Sequence, residues 1–350
     1  MIRRMYLKNA FAITSTHFLM AILWFKLIFV ICSLTYGYTS KYGYFKQPKN
    51  NRPIIGILTH ELSYRYPLDS LEPMERSYSN KHRSYIAASY VKFMEAAGAR
   101  VVPIWLNMSV SYYKQMISSI NGILLPGGAA DFDTPDGYAA AGVTIYHLAL
   151  EMNKKGDYFP IWGTCLGFEL LTYAAAHERE HRCDCVSYND ALPLEFTKDY
   201  SKSKLFGAAP DNIRNILSTQ KVTVNFHHYC VTEKNLTSFG LLREWHILSN
   251  NRDSNNLLFI STIEHRTYPF YGVMFHPEKN AYEWKVNKNH PHFAEAISAA
   301  QYFAEFFINE ARKNEHKFPS VPQESVSLIY NYPVTYTGNR WVFEQCYFFN

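Results

Sequence analysis

Between residues 53 and 171, short apolar runs alternate with longer stretches whose apolar residues recur at helical spacing. That alternation constrains the chain to a mostly parallel sheet with helices on both faces, a three-layer α/β sandwich. Pro53 to Leu58 reads as a strand, Ser84 to Gly98 as a helix stopped by glycine, and Arg100 to Ile104 as the next strand. A helix-like 109–119 follows, then the run Gly122 to Leu125 ending in Pro126-Gly127-Gly128, a helix-like 138–153, and the run Phe159 to Trp162. From about 183 to 270 the texture changes to short β-rich pieces (Val222 to Phe226, Leu257 to Ile263, Phe270 to Phe275), which predicts a mixed or antiparallel extension of the same sheet. His292 to Asn314 is the strongest helix, with Phe293, Ile297, Ala300, Ala304, Phe307 and Ile308 on a face predicted to cover the sheet. The expected organisation is one α/β hydrolase-type domain over 53–317, preceded by a polar linker at 38–52 and followed by an aromatic-rich tail at 318–350 packed on it.

The first 37 residues hold Arg3, Arg4, Lys8 and Lys26 and no Asp or Glu, and Phe18 to Leu34 form an apolar run broken only by Lys26. This reads as a secretory signal peptide. An uncleaved anchor is the alternative, and Lys26 near the centre of the run, at ~2.5–3.5 kcal/mol on insertion scales, argues against a stable span. The formal charge of +5 is mostly in this segment, so the remainder is close to neutral and lacks the basic stripe that nucleic acid requires. Two sequons, at Asn107 and Asn235, are acceptors for N-glycosylation on that route. Outside the leader stand Cys165, Cys183, Cys185, Cys230 and Cys346, an odd number that implies at least one unpaired thiol or an intermolecular bond.

Residues 159–171, FPIWGTCLGFELL, place Cys165 between Gly163 and Gly167 where an apolar strand gives way to helix formers. Glycines two before and two after a nucleophile permit the tight strand-to-helix turn that lifts its side chain above the sheet edge. At a helix N-terminus the sulfur is expected to favour the thiolate. The N–H of Leu166 would face a developing oxyanion, and the Gly127-Gly128 pair can bring a second N–H, from Gly128, with no side chain in the way. Residues 270–278, FYGVMFHPE, put His276 at the end of another apolar strand with Glu278 two residues on. Both Cys165 and His276 would then lie at carboxyl ends of strands, the edge where such sheets hold their sites. A nucleophile, base and orienter in the order Cys165, His276, Glu278 follows.

GTCLG at 163–167, LLPGG at 124–128 and FHPEKNAYEW at 275–284 resemble the gamma-glutamyl hydrolase family within the class I glutamine amidotransferase-like fold. RPIIGIL at 52–58, SYIAASYVKFMEAAGARVVPI at 84–104, STIEHRTYPFYGV at 261–273, FAEFFINEARKN at 303–314 and the tail pieces YTGN and QCY extend the likeness over nearly everything after residue 50. The resemblance implies a secreted or lysosomal cysteine hydrolase cutting γ-glutamyl amide bonds of folyl-poly-γ-glutamates through a thioester, with Cys165 as nucleophile, His276 as base and Glu278 completing the triad. It implies that His227 contacts the substrate, with Gly127 beside it, and it implies a small-molecule substrate, a homodimer, and neither cofactor nor metal. Where the family has other residues after that histidine, this chain has His228-Tyr229-Cys230, leaving open which imidazole faces the site. The segment Tyr64 to Lys81 is longer than expected and would reshape the entrance. The resemblance puts Cys346 in a tail motif where it would pair with another cysteine.

A formal H-E-x-x-H match at His177 to His181, just before Cys183 and Cys185, is the rival signal for a zinc site with Glu178 as base. Its charges and its place after the elbow helix favour a solvated helix end instead. Two further readings are a silent folate-binding or interaction module and a glutaminase that hands ammonia to a synthase; the second would need a synthetase partner.

Overall fold

The strand Ile54–Leu58 (β1) divides its side chains between two cores, Ile54 and Leu58 packing on one face and Ile55 and Ile57 on the other. A strand buried on both sides needs layers on both sides. The computed structural model describes residues 26, 50–62, 82–339 and 341–350. The chain divides into two units, Met1–Pro48 and Lys49–Asn350, and the second holds the sheets and the site. The expected leader apart from residue 26, the linker before residue 50 and the loop 64–81 lie outside the described residues.

In chain order the elements are β1, His60–Glu61 (β2), Ser84–Ala87 (β3), Ala88–Ala96 (α1), Arg100–Ile104 (β4), Val110–Ile117 (α2), Gly122–Leu125 (β5), Tyr138–Lys154 (α3), Ile161–Thr164 (β6) and Leu166–Ala175 (α4). Next come Cys183–Leu192 (β7), Glu195–Phe196 (β8), Lys204–Gly207 (α5), Asp211–Thr219 (α6), Thr223–Cys230 (β9), Glu233–Ser238 (α7), Trp245–Arg252 (β10), Leu258–His265 (β11) and Phe270–Val273 (β12). Lys279–Tyr282 (α8), Ala294–Ala311 (α9), Val321–Ser327 (α10), Val334–Tyr336 (β13) and Gln345–Phe349 (β14) complete the chain.

The central sheet has eight strands in the order β4-β1-β5-β6-β12-β11-β10-β8. The first five are parallel, and β11, β10 and β8 add antiparallel pairs at one end. Residues of α2, α3 and α4 pack on one face, and those of α1, α6 and α9 on the other. This is the three-layer α/β architecture expected from the alternation. No helix among the described residues is long and apolar enough to cross a membrane.

Three local expectations are corrected. Ser84 to Ala87 is strand, because it pairs with β14 and β2 in a second, four-stranded sheet, a partnership that local helical periodicity cannot reveal. The run at 222–226 belongs to β9, which pairs with β7 in a two-stranded ribbon outside the central sheet. Phe293 caps α9 and is exposed, whereas Ala300, Ala304, Phe307 and Ile308 are buried against the sheet.

Candidate active site

Cys165 sits between β6 and α4 with φ 52° and ψ −109°, a conformation that L-residues rarely adopt. Its N–H donates to the Val273 carbonyl at 2.8 Å, tying the turn to β12. The flanking glycines are steric necessities. A Cβ on Gly163 would lie 2.5 Å from the Gly167 carbonyl oxygen, and one on Gly167 would lie 1.9 Å from the Leu125 carbonyl oxygen. Helix and sheet can therefore approach closely enough to aim the sulfur past the sheet edge.

β12 runs parallel beside β6, with Val273 opposite Thr164, so the chain leaving β12 carries His276 to the same edge as Cys165. A Cβ built on Gly127 would meet His276 Cε1 at 2.7 Å, the Tyr90 hydroxyl at 2.9 Å and Cys165 Cβ at 3.0 Å. Imidazole, thiol-bearing carbon and the Gly127 backbone thus border one small gap. His276 Nδ1 donates to Glu278 Oε1 at 2.7 Å, which fixes the tautomer and leaves the lone pair on Nε2. Both groups are buried, and the second carboxylate oxygen of Glu278 has no hydrogen-bond partner among the described residues.

Burial pushes the Glu278 carboxyl up, but the His276 ring and its hydrogen bond outweigh that and hold it below the usual carboxylate range. Burial lowers the pKa of His276, against the opposing pull of Glu278. The Cys165 thiol is pushed well up, first by burial and then by the charges of Glu169 and Glu278, while the Leu166 N–H and the charge of Lys279 work the other way. The helix N-terminus, expected to favour the thiolate, is thus opposed here by burial and by the nearby Glu169 carboxylate.

The cleft above these groups encloses about 580 Å³. Cys165, Leu166, Gly127, Gly128, His227 and His276 all line it. His227 is buried, with Nε2 3.2 Å from Asn225 Oδ1, while His228 is exposed and stacked on Tyr188. Both rings reach the cleft, the buried one from its floor and the exposed one from its rim. Gly128 lies under the His60 ring, where a Cβ would come within 2.5 Å of it.

Sequence patterning does not single out several other residues in and around the cleft. The Tyr90 hydroxyl accepts from Gly127 N–H at 2.9 Å, lies 3.3 Å from His276 Nδ1 and interacts with Glu278. His60, just beyond the carboxyl end of β1, stacks on Tyr138 at 4.2 Å, and burial lowers its pKa to about 4. Trp341, Val342 and Phe343 bring the tail to the cleft wall. Among the described residues three cations line it as well: Arg182, paired with Glu169 at 3.0 Å; Lys279, which is buried beside the Phe343 ring at 5.0 Å; and Lys288, over the Phe226 ring at 4.6 Å.

The remaining candidates fall elsewhere. His177 and Glu178 both have positive φ and follow the end of α4, so the H-E-x-x-H residues do not share a helix face. Buried His181 is 2.7 Å from the Thr172 hydroxyl. Asn107 is exposed before α2, whereas half-buried Asn235 serves as the capping-box residue of α7. Among the described residues Cys185 and Cys230 are disulfide-bonded, and Cys165, Cys183 and Cys346 are free. The pairing expected for Cys346 is not made: its thiol is buried beside the Thr337 hydroxyl at 3.8 Å.

The peptidase C26 family model matches residues 53–278, a span that includes Cys165, His276 and Glu278. Human gamma-glutamyl hydrolase is 41% identical over 305 residues, covering 85% of this chain and 90% of that protein. Gamma-glutamyl hydrolase B of Dictyostelium discoideum is 40% identical over 303 residues, covering 86% and 84%. Gamma-glutamyl hydrolase 1 of Arabidopsis thaliana is 35% identical over 292 residues, covering 83% and 80%. The chain belongs to the peptidase C26 family and is a hydrolase of the gamma-glutamyl hydrolase group.

Proposed function

We propose that this hydrolase cuts γ-glutamyl amide bonds of folyl-poly-γ-glutamates, with Cys165, His276 and Glu278 as its reacting set. The observation that carries the reading is the cysteine at a positive-φ elbow beside an imidazole whose Nδ1 is held by a buried carboxylate. His276 Nε2 takes the thiol proton as sulfur attacks the γ-carbonyl carbon. Leu166 and Gly128 N–H groups receive the oxyanion, and the imidazolium then protonates the leaving glutamate nitrogen. Water, deprotonated by the same imidazole, releases the thioester as a free γ-carboxylate. This chemistry calls for no metal or cofactor.

A chain of γ-linked glutamates carries a free α-carboxylate at each residue, and Lys279, Lys288 and Arg182 supply positive charge along the cleft. His227 and Gly127 would contact the substrate near the scissile bond. Secretory or lysosomal delivery, glycosylation at exposed Asn107 and assembly as a homodimer belong to the same reading.

Mass-resolved hydrolysis of a folyl-poly-γ-glutamate by the mature chain, alongside Cys165→Ala, tests it. Loss of γ-linked glutamate that vanishes in the variant is the expected result. No turnover by the folded wild-type chain would favour a binding module, and release of ammonia from glutamine in place of glutamate from folates would favour a glutaminase.

A further inference from the structure

The geometry points to a second site: Cys185, Cys230 and His227 form a redox-gated binding site for one soft divalent metal ion, closed as a disulfide and opened by reduction. This goes beyond the hydrolytic reading and does not depend on it.

The β7–β9 ribbon builds the site by a slip in register. Cys183 lies opposite Cys230 and Ser187 opposite His227, with an irregularity between Asp184 and Ser187. In a regular strand, residues three apart face opposite sides. Here His227 and Cys230 are both buried, and so is Cys185 across the ribbon, as a bulged ladder permits. The two sulfurs and a ring nitrogen of His227 all lie within 4.8 Å of one another. Tetrahedral zinc with sulfur at ~2.3 Å holds its donors about 3.7 Å apart, so small side-chain adjustments close the set around an ion.

His227 is also oriented for the task. Its Nε2 donates to Asn225 Oδ1 at 3.2 Å, and Asn225 is itself fixed by donating to the Thr223 carbonyl at 3.0 Å. The lone pair is then on Nδ1, 3.4 Å from Cys230 Sγ. An outer partner that sets the tautomer of a ligating histidine is a regular part of metal centres. Two thiolates and an imidazole select Zn²⁺ and similar ions over Mg²⁺ or Ca²⁺.

In the oxidised chain the two sulfurs are bonded to each other. A dithiol reductant delivers two electrons and two protons, the S–S bond becomes two thiols, and the reductant leaves as its own disulfide. The ion then displaces both thiol protons to solvent with no change in its own oxidation state. Solvent completes the fourth position. Because His227 also lines the cleft that holds Cys165, an ion bound here shares a residue with that cleft.

The test uses the full chain carrying Cys165→Ala, which removes the other thiol of the cleft, and Co²⁺ as the spectroscopic probe under anaerobic conditions. After reduction by a water-soluble dithiol and its removal, one equivalent of Co²⁺ is expected to give thiolate-to-cobalt charge-transfer absorption, which Zn²⁺ abolishes and which the oxidised chain never shows. Cys185→Ser and Cys230→Ser should each weaken that absorption and change its form, Cys183→Ser should preserve it, and Asn225→Ala should lower affinity by about 10–100-fold. No charge-transfer band in a chain whose thiol count confirms reduction would overturn the proposal, as would an unchanged band in Cys185→Ser. A reduced chain that loses its native circular dichroism and does not regain it with Co²⁺ would overturn it too.

Discussion

Gly167 lies so close beneath Leu125 that a Cβ on it would be 1.9 Å from the Leu125 carbonyl oxygen. Backbone cannot move aside as a flexible side chain can, so Gly167→Ala must push α4 off β5. Overpacking of this kind costs about 1–3 kcal/mol or more. We expect a lower urea midpoint and loss of hydrolysis together, since the displaced helix is the one that aims Cys165. Retained activity with unchanged stability would show that the contact is not what shapes the elbow.

The backbone at Cys165 should reveal itself in a reversal of the usual order of substitutions. With φ at 52°, glycine suits the position better than any residue with a Cβ. Cys165→Gly is therefore expected to be more stable than Cys165→Ala by about 1 kcal/mol, whereas glycine ordinarily ranks below alanine. Both should be inactive. Thermal unfolding of the two variants side by side measures the difference.

The elbow and the His276 strand end were legible because each is a local pattern: glycine spacing in one, an apolar run closed by proline in the other. The same carboxyl-edge reasoning could have reached His60, which directly follows Thr59 at the end of β1. Tyr90 had no such signal, since a tyrosine among small apolar residues reads as core, and only the fold shows its hydroxyl against Gly127 and His276. β3 was invisible for a different reason. Its main partner is β14, more than two hundred residues away, and periodicity within a short window carries no information about such a pairing. The ribbon of β7 and β9 hides likewise, because its bulge breaks the alternation by which strands are read.

Glu278→Gln separates orientation from binding. A glutamine side chain fits the buried space but can present its NH₂ to Nδ1, which would place the ring proton on Nε2 and leave no base facing Cys165. By analogy with loss of the orienting carboxylate in serine enzymes, kcat is expected to fall by about two to four orders of magnitude with KM little changed. Steady-state kinetics on a γ-glutamyl substrate decide it. A change confined to KM would place Glu278 outside the proton-transfer unit.

Acidity should affect activity and stability at different points. As the proposed base, His276 must be neutral, and burial lowers its pKa, so the acid limb of kcat/KM is expected below pH 6.5. For stability, the folded-state values of His60, His181, His265 and His290 are about 4 each, lowered mainly by burial. Between about 4 and 6.5 the unfolded chain binds more protons at these rings, so their contribution is present above 6.5 and lost as pH falls through that window. Glu169 has the opposite sign: burial raises it to about 7, and its contribution is lost as pH rises through that value. His227, lowered to about 3, and His246 add to the rings, while Glu61, Glu95, Glu264 and Glu283, raised by burial, add to Glu169; the large shifts belong mostly to the rings and predict a lower urea midpoint at pH 4.5 than at pH 7. An equal or higher midpoint at pH 4.5 would mean that the buried rings are relieved on acidification by groups other than these.

Lys279 gives the sharpest test of how the cleft handles an acidic substrate. It is buried, lines the cleft and packs beside the rings of Phe343 and Phe226 at 5.0 and 5.8 Å, with no carboxylate among the described residues in an ion pair with it. A buried ammonium that feels the carboxylates of Glu278 and Glu283 but makes no direct ion pair with either is costly to the free protein and becomes favourable when an anion arrives. Lys279→Met keeps the stem packed between the rings and removes the charge. The variant is therefore expected to be at least as stable as the wild type in thermal unfolding, while KM for a poly-γ-glutamate rises by about 10-fold or more, the loss expected for a charge-assisted hydrogen bond. If instead KM is unchanged and stability falls, the lysine serves packing, and recognition of the α-carboxylates must come from Lys288 and Arg182. Measuring KM for substrates of one, three and five glutamates then tells the two apart, because a cation that reads a particular α-carboxylate affects only chains long enough to reach it.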